Sequence, residues 1–190
     1  MAKSVGNVVT YGLSGLIGKL LVFRQRAGKT FVGDRPVKTS KAPTAELKAV
    51  REKFAKAIIY AKMVNDVNDE VKAGYQAKTE PGQSAFNLAF ADYMKAPVFV
   101  EAPAFPGYSG QQNTSLPVLV KDDFRVTSVF FEVLDADNNV LESGEAAGTG
   151  DSPLWVYQTS TEQEDLAGGK VKIVAKDLPG NETIAEVTLV

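Results

Sequence analysis

The feature that most constrains the fold is a change of texture at Ala96-Pro97. Upstream, apolar residues recur at helical spacing. Downstream, short β-prone runs at 98–100, 116–120, 126–134, 140–147, 154–159, 171–176 and 183–190 are separated by turn residues such as Pro106-Gly107 and Gly168-Gly169. Runs about a dozen residues apart, with alternating polarity, predict a small antiparallel β-sandwich of immunoglobulin-like kind. Trp155 is expected in its core. An antibody-type domain is excluded, because the chain has no cysteine.

The part before Pro97 predicts a hairpin and helices. Residues 19–26 and 29–34 are β-prone and flank a turn signal at Ala27-Gly28, which reads as a β-hairpin. Leu21 and Phe23 fall on one face of the first strand; Val22, Arg24 and Arg26 fall on the other. Asp34-Arg35-Pro36 ends the second strand, because proline donates no ladder hydrogen bond. Residues 35–43 form a linker. Thr44 then caps a helix, with Glu46 suited to its first turn. Leu47, Val50, Phe54, Ala57, Ile58 and Ala61 form its apolar line, and it is expected to end near Val64-Asn65. A short helix is expected around 67–75 and another over 84–95, stopped by Ala96-Pro97. The fold class is therefore α+β, with a hairpin-and-helix module over 1–97 and a sandwich over 98–190.

Composition removes several chemistries. The chain of 190 residues has no cysteine and no histidine, so thiol nucleophiles, disulfides, zinc-finger sites and imidazole catalysis are absent. There is no run of about 18 apolar residues that would span a membrane, and the N-terminus shows no signal-peptide pattern. A cytoplasmic protein is expected. Neither Gly18-Lys19 nor Gly28-Lys29-Thr30 completes a phosphate loop, since Leu13 and Phe23 occupy the first-glycine position. Asp135, Asp137 and Asn139 resemble the start of a calcium loop, but Val140 and Ala146 stand where glycine and glutamate are needed. A polar hairpin turn explains them better. Asp122, Asp123, Glu162, Glu164 and Asp165 read as solvated loop charges, since adjacency does not make an acid–base pair. No cofactor or metal is expected, and no catalytic cluster is apparent, so the chain reads as a non-enzyme.

Charge is unevenly spread. Residues 1–62 carry 13 Lys/Arg and 3 Asp/Glu, a net +10, while the remainder carries −12. Such a basic segment seeks phosphate, an acidic surface or the acidic half of another copy. Lys19, Arg24, Arg26, Lys29, Arg35, Lys38 and Lys41 make up the basic set of the hairpin region, with Phe23 and Phe31 between them. A basic ribbon can track a nucleic-acid backbone, although the alternation of the aromatics fits burial against the first helix.

The stretch 11–18 (Tyr-Gly-Leu-Ser-Gly-Leu-Ile-Gly), Phe23-Arg24, Gly28-Lys29, Arg35-Pro36, Pro43-Thr44 and the helix with Arg51 and Phe54 resemble an uncharacterised family of Bacteroidota and their prophages. The same layout resembles small phage structural proteins. The likeness covers roughly residues 6–60, and its motifs specify fold rather than activity. It implies a virion-associated, non-enzymatic protein.

These readings converge on a structural protein of a phage or phage-derived particle, assembling in multiple copies and contacting other virion proteins. Leu21, Phe23, Arg24, Arg26, Lys29, Phe31 and Arg35 are the expected interface. A nucleic-acid-binding protein using the basic module is the alternative.

Overall fold

A computed structural model describes residues 2–4, 6–26, 28–37, 42–67, 69–148, 152–163 and 166–189. Among the described residues the fold is α+β: an N-terminal antiparallel sheet, three helices and a C-terminal β-sandwich. The chain divides into two compact units, Met1–Lys48 and Ala49–Val190. That division lies upstream of the expected boundary at Ala96-Pro97. The reason is that the helices share a core with the loops of the sandwich.

In the first unit, β1 (Ala2–Ser4), β2 (Gly15–Ile17), β3 (Leu21–Arg26) and β4 (Lys29–Asp34) form one antiparallel sheet in the order β1-β4-β3-β2. The hairpin expected from the sequence is β3–β4, with Arg26 opposite Lys29 and Gly28 at φ 71° near its tip. Lys19 and Leu20 belong to the preceding turn rather than to the strand. Gly18 and Lys19 both adopt φ 61° there, a left-handed pair that reverses the chain between β2 and β3. Glycine at the first of these positions removes the Cβ cost.

The second unit begins with most of α1 (Ala45–Val67), followed by α2 (Asp69–Ala77) and α3 (Ala85–Met94). Ser84 caps α3 in extended conformation, its hydroxyl oxygen accepting from Asn87 N at 3.2 Å. On α1, Ala57, Ala61 and Val64 are buried, whereas Leu47, Val50 and Phe54 stay exposed. The apolar line is therefore longer than the surface that covers it. Phe54 meets Phe90 edge-on at 4.7 Å, and Tyr75 stacks on Phe124 at 3.8 Å. Phe124 and Leu178 come from sandwich loops and pack into the helical core with Ala61, Val64, Tyr75, Leu88 and Ala89.

The sandwich comprises β5 (Val98–Phe99), β6 (Ser115–Lys121), β7 (Val126–Leu134), β8 (Val140–Glu145), β9 (Ala147–Gly148), β10 (Leu154–Gln158), β11 (Lys170–Asp177) and β12 (Glu182–Thr188). One sheet has the order β5-β6-β10-β9 and the other β12-β11-β7-β8, all antiparallel. Alternate residues point inward: Leu116, Val118 and Val120 from the first sheet meet Val129, Phe131, Val133, Val171 and Ile173 from the second. Phe131 stacks on Tyr157 at 5.0 Å across this core. Trp155 lies at its margin, only partly buried, with its ring against the backbone of Gly148.

The β11–β12 hairpin and the β6–β7 loop, which passes from one sheet to the other, carry the helices. Asn181 Nδ2 donates to Lys95 O at 2.8 Å, and Thr183 Oγ1 donates to Pro97 O at 2.6 Å. Lys78 Nζ donates to Phe124 O at 2.5 Å and sits over the same ring.

Candidate functional site

The register of the N-terminal sheet assigns its faces. Arg24 lies opposite Phe31, Arg26 opposite Lys29 and Phe23 opposite Val32. Side chains directly opposite in an antiparallel pair share a face. Val22, Arg24, Arg26, Lys29 and Phe31 therefore form one face, while Leu21, Phe23, Gln25, Thr30 and Val32 form the other. Phe23 and Phe31 cannot bury against a common partner, as the sequence reading assumed. A two-residue periodicity continues along each strand, but the turn between them inverts its phase.

Phe23 also departs from its assignment as an interface residue, because it is 8% exposed. The glycine-rich segment is tied across its face. Thr30 Oγ1 donates to Thr10 O at 3.2 Å, and Gln25 Nε2 donates to Leu13 O at 2.9 Å and to Thr30 Oγ1 at 2.8 Å. Gly12 and Gly15 adopt positive φ along this crossing, which glycine accommodates without strain.

The other expected interface residues fall in two places. Leu21 and Arg35 line a shallow depression of about 1000 Å³ with Lys19, Leu20, Asp34 and Val37. Arg24, Arg26, Lys29 and Phe31 lie on the opposite face, the three cations exposed and Phe31 half-buried. Lys38 and Lys41 lie outside the described residues. Among the residues 6–48 whose burial is described, Phe23 and Thr30 alone are buried. By contrast Val8, Tyr11, Leu20 and Val37 are 89, 81, 73 and 91% exposed.

Sequence reasoning missed a second constellation, a chain of buried polar groups between the helices and the sandwich. Tyr60 of α1 contacts the hydroxyl of Tyr75 at 3.0 Å, and Tyr75 donates to Asp92 Oδ2 at 2.5 Å. Because Tyr75 donates to Asp92, it accepts from Tyr60. Asp92, on α3, is fully buried, and Asp122, in the β6–β7 loop, lies within hydrogen-bonding reach of it. Asp122 is thus not the solvated loop charge that its position suggested. Its Oδ2 accepts from Phe124 N at 3.1 Å and Arg125 N at 3.0 Å. Asp123 does face solvent and pairs with Lys95 at 2.6 Å. Glu164 and Asp165 lie outside the described residues.

Burial pushes the Asp92 carboxyl up to about 8; the Tyr75 hydrogen bond pulls it down, and Asp122 beside it pushes it up again. Burial also raises Asp177, against the hydrogen bonds it accepts from Asn181 and Gly180. A signal for Asp92 exists in the sequence. Ala85, Leu88, Ala89 and Asp92 share the buried stripe of α3, and a carboxylate on such a stripe demands a partner.

Two further carboxylates have structural duties. Asp135 Oδ1 accepts from Asp137 N at 2.9 Å and Asn139 N at 2.8 Å, and its Oδ2 accepts from Asn139 Nδ2, closing the β7–β8 turn. These bonds lower its pKa, the Asn139 side chain foremost. Glu142 is buried, which opposes its charge. Hydrogen bonds from Ser160, Thr161 and Tyr157 outweigh that and hold its carboxyl below the ordinary range.

No family model matches this chain, and no curated protein matches it. Among solved structures, an engineered protein is similar to it at 15% identity and a TM-score of 0.33, over 60% of this chain and 31% of that one. A likeness at that level supports no functional argument.

Proposed function

We propose that this chain is a non-enzymatic structural subunit of a phage or phage-derived particle, which assembles in multiple copies through its N-terminal sheet. The observation that carries the reading is the imbalance in the first unit. One aromatic, Phe23, is its buried large apolar side chain among the described residues, while Val8, Val9, Tyr11, Leu16, Ile17, Leu20, Leu21 and Val37 are exposed. A sheet gains stability by burying a face against another layer, and an exposed apolar set of this extent marks an interaction surface.

A second copy suits that surface by charge. Residues 1–48 carry a net +7 and residues 49–190 a net −9. Opposite fields steer a basic sheet toward an acidic unit, and apolar burial then holds the contact. β1 and β2 are the outer strands of the sheet. β2, Gly15–Ile17, bears no charge and no proline to discourage pairing. Head-to-tail contacts of this kind close into rings or extend into filaments.

The strand orders support an immunoglobulin-like reading of the sandwich. With β5, β6, β9 and β10 as A, B, D and E, the first sheet reads A-B-E-D. The second then reads G-F-C with an added neighbour of C. Sandwich modules of this order serve as contact surfaces in many proteins, which is an analogy. The particle assignment rests on the resemblance over residues 6–60. The non-enzymatic assignment is supported by the internal engagement of the perturbed carboxylates.

Light scattering over a concentration series at low salt tests the proposal. The mass is expected to rise with concentration and to fall back when Leu20 and Leu21 are both changed to Ser. A strictly monomeric protein at high concentration and low salt would overturn self-assembly.

One observation favours the nucleic-acid alternative. Arg26 lies directly opposite Lys29, with Arg24 on the same face. Like charges in that arrangement repel unless an anion sits between them.

A further inference from the structure

We propose that Asp92 and Asp122 share one proton and form a pH-sensitive clasp that fastens α3 to the β6–β7 loop of the sandwich. Asp92 Oδ1 and Asp122 Oδ1 are both buried and, among the described residues, have no conventional donor. The remaining oxygens are occupied, Asp92 Oδ2 by Tyr75 and Asp122 Oδ2 by two backbone N–H groups. Two facing ionised carboxylates would leave both Oδ1 atoms unsatisfied and repelling. One proton resolves both problems: a neutral Asp92 donates from Oδ1 to the Asp122 carboxylate while its Oδ2 still accepts from Tyr75. Carboxyl-to-carboxylate hydrogen bonds are of the strong, charge-assisted kind.

The surroundings disfavour a second negative charge. Tyr60 approaches from α1 and Tyr75 from α2, both with hydroxyls that burial pushes above their ordinary value. Asp177 approaches from the end of β11 and adds repulsion. The nearby cations are engaged elsewhere: Lys95 pairs with Asp123, Lys78 donates to Phe124 O, and Arg125 lies over the Phe124 ring. Loss of the shared proton therefore sets like charges against one another at the seam between the helices and the sandwich. The predicted consequence is loosening of 122–125 and of α3, while the distant sandwich core stays closed.

The sign follows from linkage. The folded-state affinity for the proton exceeds that of an ordinary aspartate, so the contribution is fully present at low pH. It is lost as pH rises toward about 8. A single proton changes the folding equilibrium by about tenfold per pH unit inside that window.

The test uses the full chain. Denaturant unfolding between pH 5 and 9 should show a decline for the wild type that flattens in Asp92→Asn, whose amide can donate to Asp122 and whose oxygen can accept from Tyr75. Asp122→Asn should flatten it as well. Should either variant fail to fold, carboxyl-carbon NMR of the wild type decides, with an Asp92 titration expected near neutral pH or above. Hydrogen exchange at residues 122–125, corrected for intrinsic rate, should accelerate above that titration. An Asp92 carboxyl that titrates below pH 5, or an exchange pattern indifferent to pH, would overturn the clasp.

Discussion

Tyr75 donates its hydroxyl proton to Asp92 across 2.5 Å, and its ring stacks on Phe124 at 3.8 Å. One side chain thus joins α2 to α3 by a polar bond and to the sandwich by an apolar one. Tyr75→Phe keeps the stack and removes the donor. Asp92 Oδ2 then loses its partner, so a destabilisation of about 1–3 kcal/mol is expected in denaturant unfolding. Tyr75→Leu should cost more, because the stack goes as well. Equal values for the two variants would show that the hydroxyl contributes nothing.

Phe124 gives a prediction about the extent of the folding unit. It lies in the β6–β7 loop but is buried among helical residues. A fragment of residues 98–190 would expose it together with Leu178, and would leave Asn181 without its bond to Lys95 O. A fragment of 49–190 keeps all three. The longer fragment should unfold cooperatively at a clearly higher temperature than the shorter one. Phe124→Ala in the full chain should cost about 3–5 kcal/mol, the range for deleting a buried aromatic. Identical melting of the two fragments would return the boundary to Pro97.

The local elements were legible in the sequence for physical reasons. The helical run over 84–95 and the Pro97 stop locate α3, and alternation within each downstream run locates the sandwich strands. The first two strands of the N-terminal sheet, β1 and β2, were hidden as partners of the hairpin. β1 and β2 are each three residues long, too short for a periodic signal, and the glycines around β2 point to short extended pieces and turns without saying what they pair with. The Asp92–Asp122 contact was hidden for another reason. Each aspartate is ordinary in its local window, and only the packing of α3 on a sandwich loop brings them together. The faces of Phe23 and Phe31 depended on the phase of a turn, which a strand-by-strand reading leaves open.

Gly110 supplies a prediction inside the sandwich. It adopts φ 102°, and a Cβ there would overlap the carbonyl oxygen of Gln163. That oxygen belongs to backbone held by the bond from Gln163 N to Gly110 O at 2.9 Å, so the neighbour cannot withdraw cheaply. Gly110→Ala combines a left-handed backbone with a backbone clash. A loss of about 2–4 kcal/mol is expected by thermal or denaturant unfolding. Gly107 also has positive φ, at 82°, but has open space around its Cβ position. Gly107→Ala should therefore cost only about 1 kcal/mol, the strain without the clash, and the difference between the variants isolates the overlap.

The basic face of the N-terminal sheet permits a decision between the two functional readings. Arg24, Arg26 and Lys29 are exposed on one face, and Arg26 and Lys29 are directly cross-strand. If that face tracks phosphates, each neutralised phosphate releases a counterion, and the logarithm of affinity falls linearly with the logarithm of salt. Changing all three residues to Ala should then reduce the slope by about 3, the number of cations removed, and weaken binding alike for unrelated sequences. If the face instead meets carboxylates of another copy, the same triple variant should lower the mass seen by light scattering while retention on DNA or RNA stays negligible throughout. Leu20 and Leu21 separate the readings further, since they line the depression with Lys19 and Arg35 and not the face that carries Arg24, Arg26 and Lys29. Replacing both by Ser should abolish apolar self-association and leave a phosphate-tracking face untouched. Self-association that survives the leucine changes but disappears with the cations would place the contact on the basic face, and would remove the apolar depression from the assembly surface.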